Sequence, residues 1–484
     1  MATVNVRLAS VVLDHFMNVV HGELHFNSAD NLVAPSLLGL FGQNGSGKTA
    51  LIRSLVVLKA LLTEEPLKDE WCDYLNVDVE TARLQFEFYL SDDGQSSKGV
   101  RVFYEVVLNR KKRVETSDVL IGKKGQAESL DIQSEKLWLA LPPNESDVKA
   151  WQSALLMDTT APTLPFGPEA LYRQWIGNSD DDRSDLTVAK KMAVEKRTSF
   201  VFTTAVCRVL NKKANAERTG GLNGADLLLV LLSLQHYGLS ELFVIESSES
   251  VLVNRNVLPM RLKVEASAGH SGVHGLVLLP LDESFTAVPP LMAVIRKIIG
   301  QLNIVLTQLV PGLTIELETL GSEFGADGEK VERAQLISHK NRRAIPLKYE
   351  SDGIKKIIAV LHLLICVYNQ RSITVAIDEL DSGVFEYLLG ELLKIISEGG
   401  KGQLIFTSHN LRALETLDPA CVAFTAADPA NRYVGYQDDG EIVNLRDAYY
   451  RNLVLGAEET QRLYNPTDNG RIAFAMRKAG MNHG

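Results

Sequence analysis

The stretch Leu37 to Leu51, LLGLFGQNGSGKTAL, constrains the chain more than any other. Gly42, Gly47, Lys48 and Thr49 meet the spacing G-x-x-x-x-G-K-[ST], a phosphate-binding loop pattern. The apolar run Leu37-Leu38-Gly39-Leu40-Phe41 suits a buried strand, and Ala50 to Leu62 suits a helix. Strand, glycine-rich loop and helix in that order are the setting the pattern needs. Glycines let the backbone curl and approach phosphates with no Cβ in the way, and the loop N–H groups and the positive helix end then face the anion. The candidate nucleotide contacts are Gly42, Asn44, Gly45, Gly47, Lys48 and Thr49. Lys48 is placed to reach the β- and γ-phosphates, and the Thr49 hydroxyl to sit on Mg²⁺.

A chain of 484 residues exceeds one ordinary core, so several substructures are expected. With 45% apolar and 23% charged residues the composition is that of a soluble globular protein. No apolar run of membrane-spanning length and no signal peptide is read from the sequence, which points to the cytoplasm. Cys72, Cys207, Cys366 and Cys421 are far apart and form no C-x-x-C pair, so scattered thiols are expected rather than a disulfide frame or zinc site. A net charge of -10 argues against a protein that coats nucleic acid broadly, though not against a local basic groove.

Along the chain, Met1 to Phe41 reads as strands ending at the loop. Ala82 to Leu90, Val100 to Leu108 and Arg113 to Ile121 alternate as half-buried strands, with Ser91 to Gly94 and Arg110 to Lys112 as hairpin turns. These form an antiparallel sheet and not a βαβ series. From about Asn144 to Gly238 helical patterns dominate, at Leu186 to Leu210 and Ala225 to Tyr237, and Asp180 to Asp185 reads as an exposed acidic loop. Strands return at Leu242 to Ile245, Arg261 to Val264 and Gly275 to Leu281. His270 and His274, in a Gly/Ser loop, have no helix to align them on a metal. A helix is expected at Leu291 to Leu309, stopped by Pro311-Gly312, then strands at Leu313 to Leu317, Val331 to Ile337 and Ala344 to Leu347. No internal repeat and no long coiled-coil pattern is present.

A second half-site follows. Ser372 to Leu380, SITVAIDEL, is an apolar strand ending in two acids, the Walker B pattern. Asp378 is placed to hold the Mg²⁺ shell, and Glu379 to orient and deprotonate the attacking water. Upstream, Ser351 takes an N-cap position and Gly353 allows close backbone approach, making a helix start that is a second anion site. Downstream, GQLIFTSHN is a strand ending in Ser408-His409-Asn410, where His409 can bond a γ-phosphate oxygen.

The order Walker A, Ser-x-Gly helix start, Walker B, Asp381-Ser382-Gly383 turn and strand-end His409 resembles the ABC-type ATPase heads of the SMC, RecF and OLD group. Ser351-Asp352-Gly353 matches the Ser-Gly-Gly core of the family's signature with Asp352 as a departure, Leu380-Asp381-Ser382-Gly383 looks like the D-loop, and His409 like the switch histidine. The 330 residues from Lys48 to Asp378 fit heads whose two lobes an insertion separates. No Q-loop residue is assigned: Gln85 lies in a strand pattern and Gln95 in a turn. The resemblance implies an α/β fold, an ABC-type P-loop ATPase head split by a mixed, largely helical insertion without a long coiled coil. It implies an N-terminal lobe at 1–140, an insertion at 141–300 carrying assembly or partner contacts, a C-terminal lobe at 301–430 and a tail at 431–484. It also implies ATP sandwiched between two heads with Mg²⁺, gripped by the loop of one copy and by Ser351 and Gly353 of the other, with Asp381 a further nucleotide contact and Glu379 and His409 catalytic.

The segment Glu350 to Glu415, including DELDSGVFEYLLGELL, is similar to the compact anti-phage defence ATPases of the AriA and AbiL/Rlo type. That likeness implies assemblies beyond dimers, a separate effector such as a TOPRIM nuclease, a phage trigger protein and no membrane partner. A RecF-like DNA repair or replication ATPase is the alternative, with Arg110 to Arg113, Lys190-Lys191 and Arg342-Arg343 as its basic candidates. A nuclease domain within this chain is disfavoured: about 75 residues follow His409, and Asp438-Asp439 is not an Asp-x-Asp pair.

Overall fold

The structure, a computed structural model, describes residues 4–26, 36–92, 99–112, 128–141, 152–177, 179–214, 224–246, 257–264, 273–325, 328–435, 445–447, 449, 463 and 469–481. The chain begins with β1 (Val4–Phe16), β2 (Val19–His25) and β3 (Ser36–Phe41), and α1 (Lys48–Leu62) follows the glycine-rich loop. Next come β4 (Thr81–Asp92), β5 (Val100–Lys112), β6 (Glu128–Leu141) and β7 (Gln152–Asp158), then α2 (Glu169–Ile176), α3 (Asp180–Lys196), α4 (Thr204–Ala214) and α5 (Gly224–Ser240). β8 (Leu242–Ile245), β9 (Val257–Val264), β10 (Val273–Pro280) and β11 (Phe285–Ala287) lead to α6 (Pro289–Leu309) and to β12 (Thr314–Phe324), β13 (Lys330–Lys340) and β14 (Arg343–Pro346). The C-terminal part holds α7 (Asp352–Asn369), β15 (Thr374–Ile377), α8 (Glu386–Gly399), β16 (Gln403–Ser408), α9 (Ala413–Thr416), β17 (Val422–Thr425), β18 (Tyr433–Gly435) and α10 (Asn469–Met481).

The fold is mixed α/β, without a long coiled coil among the described residues. Two six-stranded sheets dominate: an antiparallel one ordered β2-β1-β4-β5-β6-β7, and a mainly parallel one ordered β18-β17-β3-β16-β15-β8. The parallel strands are apolar on both faces because each face feeds a different core. In β3, Leu38 and Leu40 join the core of α1 and the antiparallel sheet, while Leu37 and Phe41 join the core under α7 and α8. β16 repeats this, with Ile405 on the first side and Leu404 and Phe406 on the second. A buried amide couples the two sheets. Gln403 on β16 accepts the Leu8 N–H at 3.2 Å and donates to the Leu8 carbonyl at 2.8 Å, imitating a strand neighbour for β1.

Several expectations change. β5 runs through Lys112 instead of turning at Arg110, because acids on β6 offset the charge: Arg110 pairs with Glu128 at 3.6 Å and Lys111 with Asp131 at 3.5 Å. The strand expected at Arg113 to Ile121, Gln95, His270 and Asp438-Asp439 all lie outside the described residues. Asp180 to Asp185 is not a loop but the opening of α3. Ser179 caps it by accepting the Asp182 N–H at 3.3 Å, and the carboxylates sit at the positive end of the helix dipole. The single helical pattern Leu186 to Leu210 is broken between α3 and α4, where buried Glu135 takes the Phe200 N–H at 2.8 Å and bonds the Ser199 hydroxyl.

The divisions drawn at residues 140 and 300 fall inside β6 and α6, and cores run across both. β8, from the middle of the chain, is the edge strand of the parallel sheet beside β15. Among the described residues one helix, α6, is long and apolar enough to cross a membrane. It sinks Met292, Ile295, Ile299 and Leu302 into the core it shares with β12 and β13.

Candidate functional site

β3, β16 and β15 are adjacent and parallel, so their carboxyl ends emerge together. Ligands of open α/β sheets bind at such an edge. It presents the Gly42 loop from β3, Ser408-His409 from β16 and Asp378-Glu379 from β15. The Thr49 hydroxyl, in the first turn of α1, donates to Asp378 Oδ2 at 3.1 Å. Asp378 is buried, and the Thr407 hydroxyl donates to its other oxygen at 2.5 Å. The same hydroxyl accepts the Glu379 N–H at 2.8 Å. Glu379 has φ 48°, a left-handed conformation that a side chain costs about 1–3 kcal/mol to hold.

The loop is tied from below. Lys48 Nζ donates to the carbonyls of Gly42 and Gln43 at 2.8 and 2.9 Å. Ser46 bonds the Gln43 carbonyl at 2.6 Å and the Thr425 hydroxyl at 2.5 Å, and the Tyr433 hydroxyl donates to the Gly47 carbonyl at 2.9 Å. A Cβ on Gly42 would stand 1.8 Å from Thr425 Oγ1, and Gly47 has φ 98°, so neither position accepts a side chain. Burial lowers the Lys48 pKa, and Asp378, Glu379 and Asp381 oppose the shift.

A cavity of about 380 Å³ opens above the loop, lined by Asn44, Gly45, Gly47, Lys48, Thr49, Asp378, Glu379 and His409. These eight expected residues are brought together; Gly42 lies just beneath, holding Lys48. Burial, then the Lys48 charge, lower the His409 pKa, which favours a neutral ring. The His409 N–H donates to Asp381 Oδ2 at 3.0 Å, so the turn after Walker B is bound to the histidine strand. Asp381 does not line this cavity; with His409 it lines an adjoining hollow of about 750 Å³. On α7, burial pushes the Lys356 pKa down, and the charges of Glu379, Asp381 and Asp378 oppose the shift.

Ser351 and Gly353 do not line this cavity. Ser351 caps α7, accepting the Ile354 N–H at 3.4 Å, and is exposed. A Cβ on Gly353 would meet the Gly383 carbonyl oxygen at 2.6 Å, so this glycine lets the helix start lie against the Asp381-Ser382-Gly383 turn.

Sequence reasoning missed several site residues. Met17 and Asn18, at the β1–β2 turn, line the cavity, and the Asn18 amide donates to the Gly45 carbonyl. Arg432 donates to the Asn18 carbonyl at 2.9 Å. Thr407, Thr425 and Tyr433 brace the two motifs.

For a divalent cation, the paired Thr49 hydroxyl and Asp378 carboxylate are the hard oxygen donors Mg²⁺ takes. The arrangement can cradle a polyphosphate, place a hard cation beside it and offer a carboxylate as base.

No protein-family model and no curated protein matches the chain. Among solved structures it is similar to the Smc head domain of Pyrococcus furiosus, bound to the C-terminal domain of ScpA, at 11% identity over 92% of this chain and 98% of that one, with a TM-score of 0.40. The SMC head domain of Thermotoga maritima aligns at 13% identity, 89% and 99% coverage and a TM-score of 0.35. The recombination mediator protein RecF of the RecFOR pathway aligns at 12% identity, 89% and 98% coverage and a TM-score of 0.35.

Proposed function

We propose that the chain is an ATP-hydrolysing switch in which two copies close head to head on shared nucleotide. One observation carries this. The loop, Asp378, Glu379 and His409 share one cavity, while the second anion-binding helix start, at Ser351, is exposed outside it. Each chain then holds half a site twice, and a second copy supplies what the first lacks. On ATP binding, Lys48 exchanges the Gly42 and Gln43 carbonyls for phosphate oxygens, and the loop N–H groups take the rest. Thr49 and Asp378 would hold Mg²⁺, which supplies charge neutralisation at the β- and γ-phosphates. Glu379 orients the water and accepts its proton. His409, at the edge of the same cavity, donates a ring N–H to the γ-phosphate. The Ser351 hydroxyl and the α7 N-terminus of the partner copy face the same phosphate. Contacts present only in the closed pair make ATP a population switch, and hydrolysis opens it.

In this reading the switch restrains or releases a separate effector, a nuclease toxin, in bacterial anti-phage defence. The likeness of Glu350 to Glu415 to the compact defence ATPases supports that role. The basic residues that a DNA-repair role would use are partly engaged within the chain: Arg110 and Lys111 pair with acids, and Lys190 donates to the Thr159 carbonyl at 2.6 Å. The test is affinity capture of Glu379→Gln protein from its host, with mass spectrometry of what stays bound. A stoichiometric nuclease or toxin is expected; DNA with repair or replication proteins would contradict the defence role.

A further inference from the structure

A threonine hydroxyl has one proton to give and two lone pairs to accept with. At Thr407, which is fully buried, the proton goes to Asp378 Oδ1 at 2.5 Å and a lone pair takes the Glu379 N–H at 2.8 Å. The amide N–H can only donate, so the hydroxyl oxygen accepts it and the hydroxyl proton is left for the carboxylate. The Thr407 carbonyl accepts the next N–H of the same turn, from Leu380, at 3.0 Å. One residue of β16 therefore grips three successive residues after β15. The neighbouring Ser408 hydroxyl instead serves its own turn, accepting the Asn410 N–H at 2.9 Å.

Both groups held by the Thr407 hydroxyl have freedom that matters. A carboxylate rotates about its terminal torsion, and only an orientation with Oδ2 toward Thr49 leaves that oxygen on the metal side. Glu379 sits in a left-handed conformation that a non-glycine residue holds only when its surroundings enforce it. We propose that Thr407 is a positioning residue whose hydroxyl aims the metal-holding carboxylate of Asp378 and the water-orienting carboxylate of Glu379 as one unit. This rests on the ATPase reading above. A buried threonine that merely fills space needs its methyl group; one that positions needs its hydroxyl, and the two separate by substitution.

The experiment compares wild type, Thr407→Val and Thr407→Ser by steady-state phosphate release and by binding of a fluorescent ATP analogue titrated with Mg²⁺. Valine keeps the shape without the hydroxyl, and serine keeps the hydroxyl without the methyl. Thr407→Val is expected to lower kcat and raise the Mg²⁺ half-saturation of binding, each about 10- to 100-fold, as loss of an outer-shell partner does. Analogue binding without Mg²⁺ stays unchanged, and Thr407→Ser restores both readouts to within about threefold of wild type. If Thr407→Val does not fold, Thr407→Ala against Thr407→Ser makes the same comparison, since both lack the methyl. Wild-type kcat and Mg²⁺ dependence in the hydroxyl-free variant would overturn the proposal, as would equal loss in the valine and serine variants. A wild-type protein that neither binds nor hydrolyses ATP would overturn the ATPase reading itself, before any variant is compared.

Discussion

Thr49 and Asp378 lie 329 residues apart in the chain and 3.1 Å apart in the fold, hydroxyl to carboxylate. The contact exists because β3 and β15 both neighbour β16 and end on the same edge of one parallel sheet. Two unremarkable halves, a glycine-rich loop and an acidic strand end, come together on one cavity.

Lys48→Ala removes the only cation of the loop itself, which in the free protein is folded back on the Gly42 and Gln43 carbonyls. A charge-assisted hydrogen bond is worth about 1.5–3 kcal/mol, so ATP affinity should fall roughly 10- to 100-fold. Titration calorimetry checks this; unchanged affinity would remove Lys48 from the phosphate site.

Gly353→Ala tests the tight seat of the α7 start on the following turn. The new Cβ would meet the Gly383 carbonyl oxygen at 2.6 Å, and a backbone atom has little room to yield. Such overpacking costs about 1–3 kcal/mol. Because Gly353 is outside the loop cavity, ATP binding by the single chain should hold within about threefold while nucleotide-driven assembly weakens. Parallel binding and sedimentation measurements separate the two; equal loss of both would place Gly353 in its own chain's site.

The glycine-rich loop, the Ser351 cap and the acidic strand end were legible because each is local and needs only neighbouring residues. What braces them was not. Ser46 meets Thr425 and Gly47 meets Tyr433 only after the chain has returned through more than 370 residues, and isolated Thr and Tyr carry no pattern. Thr407 was hidden in an apolar strand, and only its sheet neighbour gives its hydroxyl a use. Charge runs misled for the same reason. Arg110 to Lys112 resembles a turn until Glu128 and Asp131 arrive across the sheet, and Asp180 to Asp185 resembles a solvated loop until Ser179 caps it into a helix. The stretches of β4 and β5 alternate cleanly, but β6 and β7 were not read from the sequence, and the edge position of β8 on the parallel sheet had no sequence signal beyond its apolar residues.

Glu241, buried just before β8, should make stability pH-dependent. Burial raises its pKa from 4.5 to about 7, against the Ser372 hydroxyl bonded to it at 2.6 Å and the Arg261 charge. Its folded pKa is above its unfolded one, so its contribution is intact below pH 4.5 and is lost as pH rises through 7. Glu241→Gln removes that slope, and at pH 8 the variant should gain roughly 3 kcal/mol relative to its difference at pH 4. Urea unfolding across this range tests it; parallel wild-type and variant curves would refute it.

Glu379→Gln keeps the side-chain shape and removes the base. Hydrolysis should fall about 10²- to 10⁴-fold while ATP still binds, so the closed pair accumulates. Phosphate release and native mass with ATP report both effects; wild-type turnover would assign the base elsewhere.

In the proposed closed pair each ATP is gripped by two chains. Mixing two inactive variants tests it most directly. Lys48→Ala loses the loop and Ser351→Arg blocks the α7 start, so either protein alone should hydrolyse little ATP. A mixed pair joins the intact loop of the Ser351→Arg chain to the intact helix start of the Lys48→Ala chain, rebuilding one whole site. ATPase activity that appears on mixing and rises with the concentration of both is the predicted result. A Ser351→Arg protein active by itself, or no recovery on mixing, would contradict the shared site.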